Sequence, residues 1–175
     1  TKGKHFDYAQ GVLRKWWENG VKTFDDVFAY IEPYVTSAGY ASATLETTLS
    51  GVEKTFSGFP NFNSPDELAA GAKNAGFDLL VTATEHCYDF GTDGLRRTLS
   101  TVQKTGLSTI GTVENAEESR HSIQTVNGIR IGMIAYTYTT SMQGGKPSLN
   151  GNTPVENPAL VNYFSYEKLD AFYTE

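Results

Sequence analysis

Apolar positions recur along this chain in short runs, some at helical and some at strand spacing, separated by stretches rich in Gly, Ser, Asn and Pro. Phe6, Val12, Leu13, Trp16 and Trp17 fall at mostly helical spacing and Asn19-Gly20 resembles a C-cap, so a helix is predicted over 6–18. A second is predicted over 24–34, with Val27, Phe28 and Ile31 on one face and Pro33 stopping or kinking it. Residues 40–45 predict a strand that ends at Glu46, and 47–63, rich in Gly, Ser, Phe and Pro, a loop. Ser64-Pro65-Asp66-Glu67 is a helix start: Ser64 as N-cap, Pro65 at the first position, Glu67 reaching back to complete a capping box. That helix ends at Gly76.

Residues 77–83 then predict a buried strand, and Thr92 or Asp93 caps a helix carrying Leu95, Leu99 and Val102 that ends at Gly106. A short strand over 107–110 leads to Gly111, and an acidic turn of helix follows near 114–118. The runs 122–126 and 129–138 flank Asn127-Gly128, two residues that tolerate positive φ, which predicts a β-hairpin. Residues 141–158 are polar and hold three glycines and three prolines, so they read as a long flexible loop before a last helix over 158–173. Strands alternating with helices imply βαβ units and a parallel sheet covered by helices.

In such sheets ligands bind beyond the carboxyl ends of the strands. This rule selects Glu46, Thr84-Glu85-His86, the Gly111-Thr112 loop and Tyr136 to Thr139. The run Glu85-His86-Cys87-Tyr88-Asp89 is the densest group of ionisable residues, with Gly91 and Gly94 following. A histidine at a strand end is also what a satisfied core polar group looks like, and Asp89 is placed to cap the next helix or bond nearby amides. Cys87 reads as a small buried apolar residue, His5 and His121 as solvated or structural, and Trp16-Trp17 as helix packing rather than a sugar platform.

Composition narrows the class. With 175 residues the chain reads as a single domain, and 39% apolar residues suffice for a core. Lys plus Arg is 14 and Asp plus Glu is 20, a net charge of -6, which argues against a nucleic-acid partner. No apolar run approaches the roughly 18–20 residues of a membrane span. One cysteine excludes an internal disulfide and a Cys-based zinc site. The P-loop, the Gly-x-Ser-x-Gly elbow, His-Glu-x-x-His and Gly-x-Gly-x-x-Gly are all absent. Only 19% of residues are charged, and Thr, Ser, Asn and Gly take their place, which points to an extracytoplasmic protein. Thr1 is not an initiator Met, so the lack of a leader says nothing of compartment.

One series of residues goes further. Residues 40–51 (Tyr-Ala-Ser-Ala-Thr-Leu-Glu-Thr-Thr-Leu-Ser-Gly), Phe62-Asn63-Ser64-Pro65, 75–86 (Ala-Gly-Phe-Asp-Leu-Leu-Val-Thr-Ala-Thr-Glu-His) and Tyr88-Asp89-Phe90-Gly91 are similar to the CapA-type poly-γ-glutamate capsule-biosynthesis proteins of bacteria. Gly94-Leu95, Thr98-Leu99, Thr105-Gly106-Leu107, Gly111 and the run 126–138 continue the likeness, which covers roughly 24–140. The resemblance implies a metallophosphoesterase-like layered α/β/β/α sandwich, with residues 1–175 forming one partial domain. It implies a cell-envelope role and a two-metal site at the strand ends, for which Mn, Zn or Mg is the expected divalent ion.

Carried over residue by residue, Glu46 matches the Glu of the family's Asn-Leu-Glu, and His86 the His of its Asn-Asn-His. Asp89 and Gly91 match the Asp-x-Gly that follows. Glu46, Glu85 and His86 are thus the expected metal ligands, and His86 and Asp89 the catalytic pair. Thr44 stands where the family has Asn, and Thr84-Glu85 where it has two. The family's opening Gly-Asp strand and later histidines have no counterpart, so the chain reads as the inner part of a larger domain. Two readings follow: a metal-dependent hydrolase of capsule-polymer synthesis, or a non-catalytic envelope module with a degenerate site. The expected partner is an anionic or peptide-like polymer or an envelope-assembly protein, and a free sheet edge also permits self-association.

Overall fold

The computed structural model describes Lys15, Asn19 and residues 24–139, 141–151 and 153–165. The helix predicted over 6–18 lies outside these, apart from Lys15 and Asn19. So do His5, Trp16 and Trp17.

Three parallel strands form the central sheet in the order β1-β2-β3: β1 (Ser42–Thr44), β2 (Leu79–Val81) and β3 (Ser108–Ile110). Ser42 pairs with Leu79 and Leu79 with Ser108, so all three carboxyl ends lie level. Two helices make the crossovers that parallel pairing requires. One is α3 (Glu67–Asn74); the other, α4 (Gly91–Lys104), buries Leu95, Leu99 and Val102 at the predicted spacing. Against the sheet and α3 packs a core of Leu45, Leu49, Ala69, Ala72, Phe77 and Leu80, with Val102 of α4. The other side of α4 closes over a second core, in which Tyr88, Leu99, Leu149, Val155 and Leu160 are buried.

The segment read as one helix over 24–34 is two short ones, α1 (Asp25–Phe28) and α2 (Glu32–Ser37). Pro33 does not end a helix but sits in the first turn of α2, where its missing N–H costs nothing. Val27 and Ile31 are exposed, and Phe28 alone of the predicted face packs inward, edge-on to Phe77. Neither expected cap forms. The Ser64 hydroxyl pairs with Thr47 Oγ1 at 3.0 Å, and α3 starts at Glu67, whose Oε2 is buried without a hydrogen-bond partner. Helix α4 starts at Gly91, ahead of both Thr92 and Asp93.

The acidic stretch 114–118 is a turn, closed by Glu118 N–H on Asn115 O at 3.2 Å, and not helical. The hairpin forms as predicted between β4 (Ser122–Val126) and β5 (Ile129–Met133), with φ of 51° at Asn127 and 82° at Gly128. Its second arm stops at Met133, and β6 (Thr137–Tyr138) is a separate strand. The expected flexible loop over 141–158 contains an antiparallel meander instead: β7 (Ser141–Gln143), β8 (Lys146–Leu149) and β9 (Thr153–Pro154). In place of the last helix, residues Pro158–Leu160 make one 3₁₀ turn and β10 (Tyr163–Phe164) pairs in parallel with β6; residues beyond 165 lie outside the described set.

Thr112 bridges Val161, and Asn162 N–H donates to Gly111 O at 2.8 Å. Thr137 N–H donates to Asn162 O at 2.9 Å, so the chain after β3 is stitched through 161–162 to β6. This stitching brings Tyr136 and Tyr138 alongside the carboxyl ends of β1 and β2. Among the described residues, no helix is long and apolar enough to cross a membrane.

Candidate functional site

At the carboxyl ends of β1 and β2 lies an open cleft of about 530 Å³. Thr44 and Glu46 line it from β1, Thr84 and Glu85 from β2, and Tyr136 and Tyr138 from β6 and the residues before it. Of these, the strand-end rule selects Glu46, Thr84, Glu85 and Tyr136 to Tyr138. His86 and Thr139, which it also selects, do not line the cleft, and nor do Gly111 and Thr112. Thr112 turns inward to hydrogen-bond Thr82 Oγ1 at 2.7 Å.

His86 sits behind this cleft, only 6% exposed, with the edge of one ring directed at the face of the other between it and Phe62 (centroids 4.3 Å apart). Its Nδ1 lies 2.7 Å from Asp89 Oδ2, and its Nε2 lies 3.2 Å from Glu85 Oε1. Asp89, also buried, accepts from Phe62 N–H at Oδ2 (2.8 Å) and from the Asn150 amide at Oδ1 (3.0 Å). It does not cap α4. A carboxylate so fixed keeps the proton of a neutral imidazole on Nδ1 and turns Nε2 toward Glu85 and the cleft. Contact between Nε2 and a carboxylate needs a proton between them, so it forms with an imidazolium or with a protonated Glu85. The Glu85 side chain is 55% exposed and is the only one of the three free to turn into solvent.

Glu46 is exposed to the cleft, yet the surrounding protein removes enough water from its carboxyl to raise its pKa above the ordinary 4.5. The charge of His86 and the nearby Thr84 hydroxyl pull it down, and Glu85 pushes it up. That Thr84 Oγ1 is buried and completes no hydrogen bond of normal geometry. Burial pushes the Cys87 thiol up to about 12, so this residue is the inert apolar group its sequence suggested. His121 is exposed, its carbonyl accepting from the Ser119 hydroxyl at 2.9 Å.

Two residues that sequence reasoning missed hold the pair in place. Phe62 is delivered by the loop after β1, which Asn63 threads together: Oδ1 accepts from Ser50 N–H, and Nδ2 donates to Gly51 O and Thr55 O. Asn150 comes from the β8–β9 turn, where its φ of 49° and the 68° of Gly151 repeat the Asn-Gly signal of the first hairpin. That dipeptide was the available clue.

Glu46, Glu85 and His86 bring carboxylate and imidazole donors to one region, a chemistry suited to Mn, Zn or Mg. Among the described residues, however, no three His, Cys, Asp or Glu side chains converge as a metal site requires. Both ring nitrogens of His86 are already engaged. These residues are at most part of a ligand set.

A parallel sheet with helical crossovers, an acidic strand-end cleft and a buried His-Asp pair beside it define a mixed α/β protein, in keeping with the metallophosphatase-like fold of its family. The family model for "Bacterial capsule synthesis protein PGA_cap" matches residues 7–169, and the chain belongs to that family. It is 27% identical over 138 residues to "Capsule biosynthesis protein CapA" of Bacillus anthracis, covering 72% of this chain and 34% of that protein. To "PGA biosynthesis protein CapA" of Bacillus subtilis (strain 168) it is 25% identical over 148 residues, covering 82% of this chain and 38% of the relative. The chain spans little more than a third of the length of these curated relatives.

Proposed function

We propose that this chain carries the proton-transfer portion of a hydrolase-like site that acts in synthesis of an extracytoplasmic, poly-γ-glutamate-type capsule polymer. The observation that carries the reading is the buried His86–Asp89 pair, 2.7 Å apart, set directly behind an open cleft at the strand ends. In it Asp89 fixes the ring, and His86 Nε2 moves a proton to or from a phosphate or amide group in the cleft. Glu85 is the gate: turning outward, it uncovers Nε2. Glu46 and Glu85, with His86, are the groups that would help hold a divalent cation (Mn, Zn or Mg), which when bound supplies Lewis-acid polarisation of the reacting oxygen.

The second reading, a non-catalytic module that binds the polymer or an envelope-assembly protein, is favoured by one observation. Nε2 is covered by Glu85, and no third donor converges on the cleft among the described residues.

Calorimetric titration of the protein with Mn²⁺, Zn²⁺ and Mg²⁺ separates the two. The hydrolase reading expects saturable binding of at least one ion, weakened at least about tenfold in Glu46→Ala and in His86→Ala, as loss of one ligand or its support costs a site. No saturable binding of any of the three ions leaves the non-catalytic reading standing.

A further inference from the structure

A second open cleft, of about 430 Å³, adjoins the first, and Tyr136 lines both. Its other walls include Arg120, Val161, Asn162 and Tyr163. Arg120 donates to Asn162 Oδ1 at 2.6 Å and to the carbonyl of Ala159. Both acceptors are neutral. Among the described residues no carboxylate lies within 4.0 Å of this guanidinium, whereas Arg97 is forked onto Asp66 at 2.7 and 2.8 Å.

The support beneath Arg120 is built rather than incidental. Asn162 is 4% exposed, and its amide donates to Ala135 O at 3.1 Å and back to Arg120 O at 3.4 Å. Tyr136, the shared wall, is stacked on Phe164 with ring centroids 5.1 Å apart and planes within 8°. The guanidinium is therefore aimed, and its charge is left unbalanced in a cleft. Five planar N–H donors outnumber its two acceptors, which leaves donors for a ligand. A planar, bidentate cation of this kind selects carboxylates.

We propose that the Arg120 cleft is a carboxylate-binding subsite, holding one carboxylate of a polymeric ligand whose neighbouring unit crosses Tyr136 into the strand-end cleft. The proposal rests on the polymer reading above and assigns to it the group that sets the polymer's register. It also answers an electrostatic difficulty. A chain of net charge -6 with Glu46 and Glu85 in its cleft repels a polyanion, and one fixed guanidinium beside that cleft supplies local attraction.

The test titrates a γ-linked glutamate pentamer, without added metal, into the protein at low salt, by calorimetry and by the NMR shifts of Tyr136 and Tyr163. Arg120→Gln weakens binding at least about tenfold, the worth of one charge-assisted hydrogen bond. Arg120→Lys falls between, since a point charge replaces the planar fork. The same pentamer with its carboxylates converted to primary amides binds the unaltered protein at least about tenfold more weakly, and this arm needs no substitution should a variant fold poorly. Three results each overturn the proposal: no binding of the acidic pentamer, equal affinity for the amide pentamer, or unchanged affinity in a folded Arg120→Gln. Because metal is absent, a failure here is separable from a failure of the metal titration.

Discussion

Asp89 accepts hydrogen bonds from three segments at once: the Phe62 backbone, the His86 ring and the Asn150 amide. Asp89→Ala removes the acceptor of the His86 ring and of the Phe62 N–H, while the Asn150 amide keeps Pro60 O, at a cost of about 3–5 kcal/mol. Asp89→Asn keeps the shape but loses the charge and part of the acceptor capacity, costing about 1–3 kcal/mol. Urea unfolding measures both, and equal stability of Asp89→Ala and the unaltered protein would contradict the network. The placement of Glu46, Glu85 and His86 at strand ends was legible from the sheet rule, and that of Asp89 from its clustering with residues 85–88 and from the family likeness; Glu85 stands where that family has Asn. Phe62 and Asn150 were not legible, for they reach Asp89 from 27 and 61 positions away. No local pattern encodes a contact closed by tertiary folding.

At the scale of elements, what locates the site is the close approach of two strand ends. Gly111 follows β3 with φ of 104°, and a Cβ built there falls 2.3 Å from Ala83 Cβ and 2.8 Å from Ala83 N. Ala83 immediately precedes Thr84-Glu85-His86, so this packing also positions the cleft wall. Gly111→Ala therefore combines a left-handed conformation with a backbone clash, costing at least about 2 kcal/mol. Gly132→Ala, where a Cβ meets nothing within 4 Å, is the control. Thermal melting should fall by several degrees for the first and hardly move for the second. Strongly periodic or strongly punctuated elements were the legible ones: the face of α4, the Asn127-Gly128 hairpin, the stop of α3 at Gly76. The caps failed because Ser64 found a tertiary partner in Thr47. The meander over 141–154 was hidden by Gly144-Gly145 and Pro147, which read as loop, although they and Asn150-Gly151 are its turns and strands.

Across the whole molecule, two buried cores meet along α4, and the strand-end cleft opens where β6 and β10 extend past the central sheet. The mixed α/β class followed from the alternation of strands and helices. Of the antiparallel additions, the β4–β5 hairpin followed from its own Asn127-Gly128 turn, whereas the meander over 141–154 did not. The architecture sets an acidic cleft and a masked imidazole beside an unneutralised guanidinium. On the proposed function, this joins a site for proton transfer to a means of holding an anionic chain. The measurement that tests this most directly is the amount of surface polymer made by capsule-forming cells whose only copy carries His86→Gln or Glu46→Gln. At equal protein level, polymer should fall at least about tenfold in each, in line with the loss of a general acid or base at His86 and of a cation-holding carboxylate at Glu46. Polymer at the unaltered level in both variants would contradict the central claim that the strand-end cleft does this protein's work.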